Sequence, residues 1–435
     1  MGAGMRIVHI TAGAGGRLCG SCLHDNTLVR ALRARDCDAI LLPAYVPTTT
    51  DEENVADRRI VMGGVNVWLQ EHVPLFRHTP WRIDRLLDSR WLLEWLSSRT
   101  GDTRPADLGG LTASSLEGEL GRQRKEVEKL ARLLAEDLRP DVVHLSNVLL
   151  LGLARRIREA TGAAIVCSLS GEDIFIERIS EPHYSRIRDL LRERAAGVDR
   201  FVALNDFFAG FMAGYMAVPR ERIEVIPHGI DPRGFPEDPP DLVARRRGRH
   251  GRLVIGSLTR ACPEKGLDLL IRALPLVRRS HDVHLRAAGA VVDAERGHLS
   301  RCLNLARNLG VHDQVAWLGQ VDRAGKVELL QEIDVFAMPT VYPEAKGIPV
   351  VEAMAAGVPV VAPAHGTFPE LLDGERAGLL HAAGDPADLA RVLLELLDDE
   401  NRAVRLGAHG HSLVRSRHLA DHMAAAHESL YARLV

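Results

Sequence analysis

The sequence predicts an α/β protein built from two doubly wound domains. Short apolar runs rich in β-branched residues alternate with helical patterns along the whole chain, which is typical of parallel strands joined by helices. A proline-rich and then basic stretch interrupts the alternation once, after which the pattern starts again. A chain of 435 residues is long enough for two such domains.

The first domain is expected over residues 1–235. Its first strand, Arg6–Ile10, runs into a glycine-rich turn and then a helix around Cys22–Arg33. Residues 51–70 differ, with a polar stretch followed by R-R-I-V-M-G-G-V-N-V-W-L-Q, and we interpret them as a β-hairpin excursion. Further strands are predicted at Ala39–Pro43, Val142–Leu145, Ala164–Leu169, Arg200–Leu204 and Ile223–Ile226.

The second domain is expected over residues 250–412. The connection before it holds D-P-R-G-F-P-E-D-P-P and the basic run Arg245–Arg252, which we interpret as a solvated linker and helix end, with phosphate or membrane binding as the alternative. The last segment, Leu413–Val435, has a helical pattern. Strands are predicted at Leu253–Leu258, Val283–Ala288, Gln314–Leu318, Asp334–Pro339, Val358–Ala362 and Gly378–His381.

Two open α/β sheets of this kind leave a cleft between them. Ligands of such sheets bind beyond the carboxyl ends of the strands, so the loops at those ends are where chemistry is expected.

Composition bears on nucleic-acid binding, on the redox compartment and on membrane spanning. The net charge of −3 argues against a nucleic-acid-binding surface. The six cysteines, without a secretory leader, are typical of free thiols in a reducing compartment. No run reaches the ~18 apolar residues that a membrane helix needs. We therefore expect a cytoplasmic protein, with peripheral contact to the inner face of the membrane left open.

The stretch P-E-A-K-G-I-P-V-V-E-A-M-A-A-G, Pro343–Gly357, carries two carboxylates seven residues apart. Proline just inside a helix and glycine just past its end predict that Glu344 follows a strand and that Glu352 lies early in the next helix. A helix N-terminus beside a flexible loop favours ligand oxygens. Carboxylates accept hydrogen bonds, so their natural partners are the hydroxyls of a ribose or a sugar. Two solvated glutamates are the alternative.

A second loop, G-S-L-T-R-A-C-P-E-K-G, leaves the first strand of the second domain. Arg260 and Lys265 lie five residues apart on it. Arginine offers a planar fork to phosphate oxygens and lysine a compact charge, which a departing diphosphate requires. A surface turn with two solvated cations is the alternative. In a doubly wound sheet this loop and the Glu344–Glu352 loop can face the same ligand.

These two stretches, I-G-S-L-T-R-A-C-P-E-K-G-L-D-L-L-I-R-A-L and P-E-A-K-G-I-P-V-V-E-A-M-A-A-G-V-P-V-V-A, resemble the donor-site signatures of retaining glycosyltransferase family 4, the glycosyl transferases of group 1. I-P-H-G-I-D, H-G-T-F-P-E-L-L and G-L-L-H-A-A-G-D-P support the resemblance, which covers most of the second domain and rests in the first on the glycine-rich loop and D-V-V-H-L-S-N. It implies the GT-B fold, with Rossmann-like domains, an acceptor-binding first domain onto which helix 413–435 packs back, and a second domain that binds the nucleotide-sugar.

The resemblance also implies roles for single residues. Arg260 and Lys265 would bind the donor diphosphate, Glu352 the ribose, and Glu344 with the following amides the transferred sugar. The loop after Leu318 would seat the base. Catalysis would involve Arg260, Lys265 and Glu344. The implied donor-binding residues are Gly256, Arg260, Lys265, Glu344, Lys346, Gly347, Ile348 and Glu352.

The implied reaction is hexosyl transfer with retention, from a UDP- or GDP-sugar to a saccharide, lipid-linked or small-molecule acceptor. The leaving phosphate would help to deprotonate the acceptor, and neither a metal nor a cofactor is expected. The rivals are a GT-B epimerase and a catalytically weak sugar-nucleotide-binding protein.

The chain departs from the family pattern at four places, one of which is Thr259, where a glycine usually precedes the arginine. Ala345 and Lys346 stand where the family commonly has glycine and an aromatic residue. In the first domain Ser170 replaces the histidine of H-G-x-D, so Glu172 or Asp173 could meet acceptor hydroxyls instead. His228 stands where asparagine is frequent.

The glycine-rich loop, with Gly15 and Gly16, is expected to approach the donor phosphates and the acceptor. Its glycines are a weak sign of a dinucleotide site, and the second-domain motifs already account for a nucleotide.

Three other patterns are interpreted structurally. Cys19–Cys22 is a C-x-x-C without a second ligand pair at zinc spacing, so reduced cysteines are preferred over redox or metal chemistry. Asp36–Asp38 matches D-x-D but lies at a predicted turn, where aspartate is common. The helix Ile83–Leu96 repeats large apolar residues on one face, which predicts a core stripe, with sugar stacking or a membrane-interface edge as alternatives.

Overall fold

The computed structural model describes residues 5–13, 20–73, 108–249 and 251–435. The chain divides into two compact units. One comprises the residues up to Gly229 together with Ala420–Val435, and the other comprises Ile230–Leu419. Gly15, Gly16, Cys19 and the predicted helix Ile83–Leu96 lie outside the described residues.

The first unit contains a six-stranded sheet in the order β2-β1-β3-β4-β5-β6, and every strand pair in it is parallel. All four residues of β3 are buried, as expected for a parallel sheet covered on both faces. The strands are β1 (Arg6–Thr11), β2 (Asp38–Pro43), β3 (Val142–Leu145), β4 (Ala164–Ser168), β5 (Arg200–Ala203) and β6 (Ile223–Val225).

The helices described in this unit are Gly20–Ala34, Gly64–His72, Gly109–Glu117, Arg124–Arg132, Ala154–Thr161, Asp173–Ile176, His183–Ala195, Asp206–Met216 and Ala420–Ala432. Gly118–Leu120, Val148–Leu153 and Arg220–Arg222 are 3-10 turns, and Leu133–Leu138 is π-helical.

The second unit has its own six-stranded sheet in the order β12-β11-β10-β7-β8-β9, again parallel throughout. Every residue of the central strand β7 is buried. The strands are β7 (Leu253–Leu258), β8 (Val283–Ala288), β9 (Val315–Trp317), β10 (Val335–Ala337), β11 (Val360–Pro363) and β12 (Gly378–His381). The predicted fold class, two doubly wound parallel sheets, is confirmed.

The helices of the second unit are Leu242–Gly248, Leu267–Val277, Arg296–Asn308, Arg323–Glu332, Ile348–Ala355, Phe368–Leu371, Pro386–Asp398 and Glu400–Arg417. Short 3-10 turns lie at Pro263–Lys265, Asp293–Glu295 and His312–Gln314. No helix among the described residues has the length and apolar character needed to cross a membrane.

The hairpin predicted for residues 51–70 is wrong. Residues 51–63 form an irregular segment with one isolated bridge to β2, and Gly64–His72 is a helix. The alternating valines suggested a strand, but the buried positions Asn66, Val67 and Gln70 follow helical spacing. Asn66 and Gln70 both donate to Oε1 of Glu126, a pairing that the local pattern did not reveal.

The basic run contains the end of a helix, as predicted, but two of its arginines are bound to the second unit rather than solvated. Asp241 caps the helix Leu242–Gly248 by accepting from the amide of Ala244. Arg246 is 7% exposed and donates to the carbonyl of Leu396, and Arg249 lies 2.5 Å from the fully buried Asp334. Arginines that find carbonyl and carboxylate partners hold this helix to the second unit.

The predicted helix from Leu413 is two helices. Glu400–Arg417 belongs to the second unit and Ala420–Ala432 to the first. The break falls at His418 and Leu419, where the carbonyl of His418 accepts from Ile230 and Leu419 pairs with it. Neither glycine nor proline lies at this break, so no local pattern predicts it.

The helix Ala420–Ala432 completes the core of the first unit. Met423, His427 and Tyr431 are buried at helical spacing on one face. The hydroxyl of Tyr431 lies 2.6 Å from Nδ1 of His144 on β3, and the amide of Gly229 contacts the sulfur of Met423 at 3.3 Å. Side chains near position 430 therefore pack against the first sheet, far from them in the sequence.

Candidate functional site

The candidate site lies at the carboxyl edge of the second sheet, where β10 is hydrogen-bonded to β7. Strand order reverses at this pair, because the chain proceeds outward through β8 and β9 on one side and through β11 and β12 on the other. Ligands of doubly wound sheets bind at such a switch point. The two loops that carry the predicted donor residues follow these two neighbouring strands.

The two loops are tied together by their backbones. The loop after β7 turns through Pro263–Lys265 and ends at Gly266, whose φ is 70°. A Cβ on Gly266 would lie 1.9 Å from the carbonyl oxygen of Pro339 in the loop after β10, so only glycine permits this approach. The amide of Val341 donates to the carbonyl of Glu264 at 2.9 Å.

This juxtaposition brings together Lys265, Tyr342 and Glu344. Nζ of Lys265 lies 2.5 Å from Oε2 of Glu344 and 2.7 Å from the hydroxyl of Tyr342. The Tyr342 hydroxyl lies 2.5 Å from the same Oε2. A phenol has one proton and an ammonium only donors, so Tyr342 accepts from Lys265 and donates to Glu344.

The charges in this cluster follow from the contacts. Burial would raise the pKa of Glu344, but the Lys265 ammonium, the Tyr342 hydroxyl and the Lys346 amide outweigh it and hold that pKa below its ordinary value. Burial and the neighbouring Glu344 carboxylate raise the pKa of Tyr342 well above its usual range. Near neutral pH the cluster therefore contains an ion pair and a neutral phenol.

The backbone of Glu344 is held from a third loop, which follows β11. The amide of Thr367 donates to the carbonyl of Glu344 at 2.8 Å. A Cβ on Gly366, whose φ is 64°, would come within 2.5 Å of the Glu344 amide nitrogen. The stretch H-G-T-F-P-E-L-L thus fixes the loop that presents Glu344.

The residues after Glu344 start a helix. The amide of Lys346 lies 3.3 Å from Oε1 of Glu344, and Gly347 takes φ 66° immediately before Ile348–Ala355. Proline occupies the first turn of this helix, as predicted. Ala345, where the family has glycine, is buried and lies outside the positive-φ positions, so the missing glycine does not obstruct this loop.

Glu352 lies one turn into that helix and is buried. Its Oε1 lies 2.5 Å from Nζ of Lys326, which the helix Arg323–Glu332 supplies. The pairing orients the carboxylate that the family resemblance assigns to the ribose.

Arg260 is placed differently from Lys265. Half of its side chain is exposed, and its guanidinium lies 3.4 Å from Glu295 and 3.8 Å from the sulfur of Cys262. It remains available to an incoming anion. Gly256, in contrast, lies inside β7, where a Cβ would meet Cδ1 of Ile333 at 2.4 Å. The structure gives Gly256 a packing role.

Of the acceptor-side residues predicted in the first unit, Glu172 and Asp173 are described, and both lie in the turn and short helix after β4. Both carboxylate oxygens of Glu172 lie 3.0 Å from the amide of Ser170, and the Ser170 hydroxyl donates to the carbonyl of Ser146. Asp173 begins the short helix Asp173–Ile176. His228 is buried, with its Nδ1 2.8 Å from Nδ1 of His24.

Two residues of the site were not predicted from the sequence. Tyr342 stands two positions before Glu344. An aromatic residue with a polar hydroxyl so close to a candidate ligand is a signal by which it could have been identified. Lys326 lies 26 residues before Glu352 on a separate helix, and no local pattern links the two.

Comparison with known proteins matches both units. Residues 243–412 match the model of the glycosyl transferases group 1, and residues 107–233 match that of glycosyltransferase family 4.

Among curated proteins, the chain is 31% identical over 305 residues to the GDP-mannose-dependent alpha-(1-6)-phosphatidylinositol monomannoside mannosyltransferase of Mycobacterium tuberculosis, covering 68% of this chain and 77% of the relative. It is 28% identical over 278 residues to the GDP-mannose-dependent monoacylated alpha-(1-6)-phosphatidylinositol monomannoside mannosyltransferase of Corynebacterium glutamicum, covering 61% of this chain and 68% of that protein.

Solved structures show the same fold across almost the entire chain. Sucrose-phosphate synthase from Thermosynechococcus elongatus aligns with a TM-score of 0.72 at 16% identity, covering 99% of both chains. Anabaena HepE in complex with UDP aligns with a TM-score of 0.71 at 18% identity, covering 99% of this chain and 100% of that one. The predicted GT-B fold class is thereby confirmed.

Proposed function

This chain belongs to glycosyltransferase family 4, among the glycosyl transferases of group 1, and from that membership we propose that it transfers mannose from GDP-mannose to a lipid-linked acceptor with an inositol headgroup. It is a glycosyltransferase that uses a nucleotide-sugar donor. The proposal concerns the identity of the sugar, the nucleobase and the acceptor.

The observation that carries the proposal is the partly buried Lys265–Tyr342–Glu344 cluster at the switch point, with the buried Glu352 on the helix that follows. It offers a cation for a diphosphate and two carboxylates for hydroxyls. The similarity to the GDP-mannose-dependent enzyme of Mycobacterium tuberculosis covers 68% of the chain and supports GDP-mannose as the donor.

The acceptor is inferred from the names of the relatives. Both curated relatives described above act on a phosphatidylinositol monomannoside, which is a lipid. A lipid acceptor requires the protein to reach a membrane surface, so the proposal includes peripheral membrane contact. It includes no resident metal or cofactor.

In the proposed reaction Lys265 and Arg260 neutralise charge that develops on the departing diphosphate. Glu344 and the amides that open the helix Ile348–Ala355 hold the mannosyl group, and Glu352 holds the ribose. The curated relatives form alpha linkages, and GDP-mannose is itself alpha-linked, so we propose transfer with retention. A leaving-phosphate oxygen would take the proton of the acceptor hydroxyl, which requires no protein nucleophile.

A two-part experiment tests the proposal. A nucleotide-sugar panel is first read by thermal shift, because ligands that bind the folded state raise its apparent stability. GDP-mannose is expected to give the largest shift. Transfer from radiolabelled GDP-mannose to phosphatidylinositol monomannoside in mixed micelles is then measured, and the anomeric configuration of the product is read from its one-bond C1–H1 coupling.

The outcomes separate the rival functions. A larger shift with a UDP-sugar contradicts the donor assignment, and a beta-linked product contradicts retention. Rapid conversion of GDP-mannose without any acceptor favours an epimerase. Binding without turnover under any acceptor condition favours a catalytically weak binding protein.

A further inference from the structure

We propose that the Lys265–Tyr342–Glu344 cluster makes the enzyme discriminate between its nucleotide-sugar donor and the nucleoside diphosphate that remains after transfer, with Tyr342 as the positioning residue. The inference rests on the proposed function for the position of the diphosphate and the sugar. It goes beyond that function by assigning a role to Tyr342 and to the ion pair between Lys265 and Glu344.

Lys265 is the predicted diphosphate ligand, yet its ammonium lies 2.5 Å from a buried carboxylate. The side chains of Lys265 and Glu344 are 17% and 9% exposed, so water screens their attraction only weakly. A diphosphate must therefore compete with Glu344 for the charge of Lys265.

If Lys265 turns toward phosphate, Oε2 of Glu344 keeps one of its two close donors, the hydroxyl of Tyr342. A buried carboxylate with too few partners carries a desolvation penalty. A nucleoside diphosphate leaves that penalty in place, because it brings no hydroxyl to this carboxylate.

A nucleotide-sugar brings hydroxyls together with the diphosphate, and a hydroxyl that donates to Glu344 replaces the donor lost from Lys265. The ion pair thus weakens binding of the product more than binding of the substrate. The nucleoside diphosphate product therefore inhibits the enzyme less, although it makes no contact that the nucleotide-sugar lacks.

Tyr342 is suited to hold Glu344 during this exchange. Its hydroxyl proton points at Oε2 whether or not Lys265 is present, because Tyr342 has no other acceptor within the cluster. Its backbone is fixed by the bond from Val341 to Glu264 and by the contact of Thr340 Oγ1 with the Tyr342 carbonyl. Its raised pKa keeps the proton on the phenol.

The test compares equilibrium binding of GDP and GDP-mannose by calorimetry in the full-length protein. Glu344→Gln keeps the shape and removes the charge, so GDP is expected to bind at least threefold tighter than to the unmodified protein, while GDP-mannose binds no tighter. Tyr342→Phe removes the anchoring hydroxyl, so GDP is expected to bind at least tenfold more weakly, while GDP-mannose weakens less.

Tyr184→Phe is the matched control, because it removes a tyrosine–glutamate hydrogen bond, of 2.9 Å to Glu177, at the surface of the first unit. It should leave both affinities unchanged. Thermal midpoints of all three variants verify folding.

Weaker or unchanged GDP binding in Glu344→Gln overturns the inference, since the carboxylate then does not compete for Lys265. Equal losses for both ligands in Tyr342→Phe overturn the role of Tyr342. If the unmodified protein binds a UDP-sugar instead, GDP-mannose fails as the donor, and the same comparison with UDP tests the inference. Binding of no nucleotide at all overturns both.

Discussion

Nζ of Lys326 lies 2.5 Å from Oε1 of Glu352, and the two side chains are only 11% and 7% exposed. The lysine comes from the helix Arg323–Glu332 and the glutamate from Ile348–Ala355. Two helices that flank the second sheet are therefore joined through a carboxylate that the family resemblance places on the donor ribose.

Breaking this pair from one side should be costly. Lys326→Met removes the ammonium that lies 2.5 Å from the buried Glu352 carboxylate, and loss of one partner of a buried pair costs about 3–5 kcal/mol of unfolding free energy. Urea unfolding measures the change. The double variant Lys326→Met, Glu352→Met should recover most of that stability but not the activity, because the ribose ligand is gone. A double variant as unstable as the single one would show that the pair is not the cause.

Removal of either of two donor-site charges should reduce catalysis. Lys265→Ala and Glu352→Ala are each expected to lower kcat/KM at least tenfold, which corresponds to about 1.4 kcal/mol of transition-state stabilisation. Initial rates with GDP-mannose and a saturating acceptor measure the effect. Near-normal rates in both variants would place the donor site elsewhere.

Gly347 should tolerate no side chain. Its φ of 66° is unfavourable for alanine, and an added Cβ would lie 2.7 Å from Cδ2 of Leu371. Gly384 is the control, because it has φ 75° but open space around it. Gly347→Ala should lower unfolding free energy by about 2 kcal/mol and Gly384→Ala by about 1 kcal/mol. Only Gly347→Ala should also raise the KM for the donor. Equal effects on stability would exclude the contact with Leu371.

Acid should destabilise the first unit through its buried histidines. Burial, together with the neighbouring histidines, holds the pKa of His144 well below its ordinary value, and burial lowers the pKa of His427 to about 4. The folded state then binds fewer protons than the unfolded state, so this stability is complete above pH 6.5 and is lost as the pH falls toward 4. For His427 the loss at pH 5 is on the order of 2 kcal/mol.

Urea unfolding of the first unit at pH 7.5 and pH 5 measures this dependence. His427→Gln should reduce the difference by about 2 kcal/mol, since glutamine does not titrate, and the remainder reports the other buried histidines such as His144. His422→Gln, at an exposed position of the same helix, should leave it unchanged. An unaltered pH dependence in His427→Gln would mean that this histidine is not titrating.

Most of the fold could be predicted from the sequence because the strands of a buried parallel sheet are short apolar runs with clear ends. Leu253–Leu258 and Val283–Ala288 were predicted at the observed bounds for this reason. The prediction of secondary structure failed for residues 51–70, where some of the buried side chains are polar. Asn66 and Gln70 are buried through hydrogen bonds to Glu126, which a hydrophobic pattern does not register.

The donor residues could be predicted because each stands at a fixed place beside a turn. Lys265 directly precedes Gly266, and Glu344 lies three residues before Gly347. The glycines of the two turns therefore indicate both positions. Their partners could not be predicted in the same way. Lys326 reaches Glu352 only because two separate helices cover the same sheet, and Arg249, just past the helix Leu242–Gly248, reaches Asp334 because that residue directly precedes β10.

The position of the helix Ala420–Ala432 has a consequence for biosynthesis. The first unit is interrupted after Gly229 by the entire second unit, residues 230–419, and receives its last helix only afterwards. Domains usually fold in the order in which the ribosome delivers them. Here the earlier-made unit stays without Met423, His427 and Tyr431 until the later-made one has been translated. A stop codon before Ala420 would thus leave the second unit intact. The first unit, although translated nearly in full, would lack the helix that completes its core.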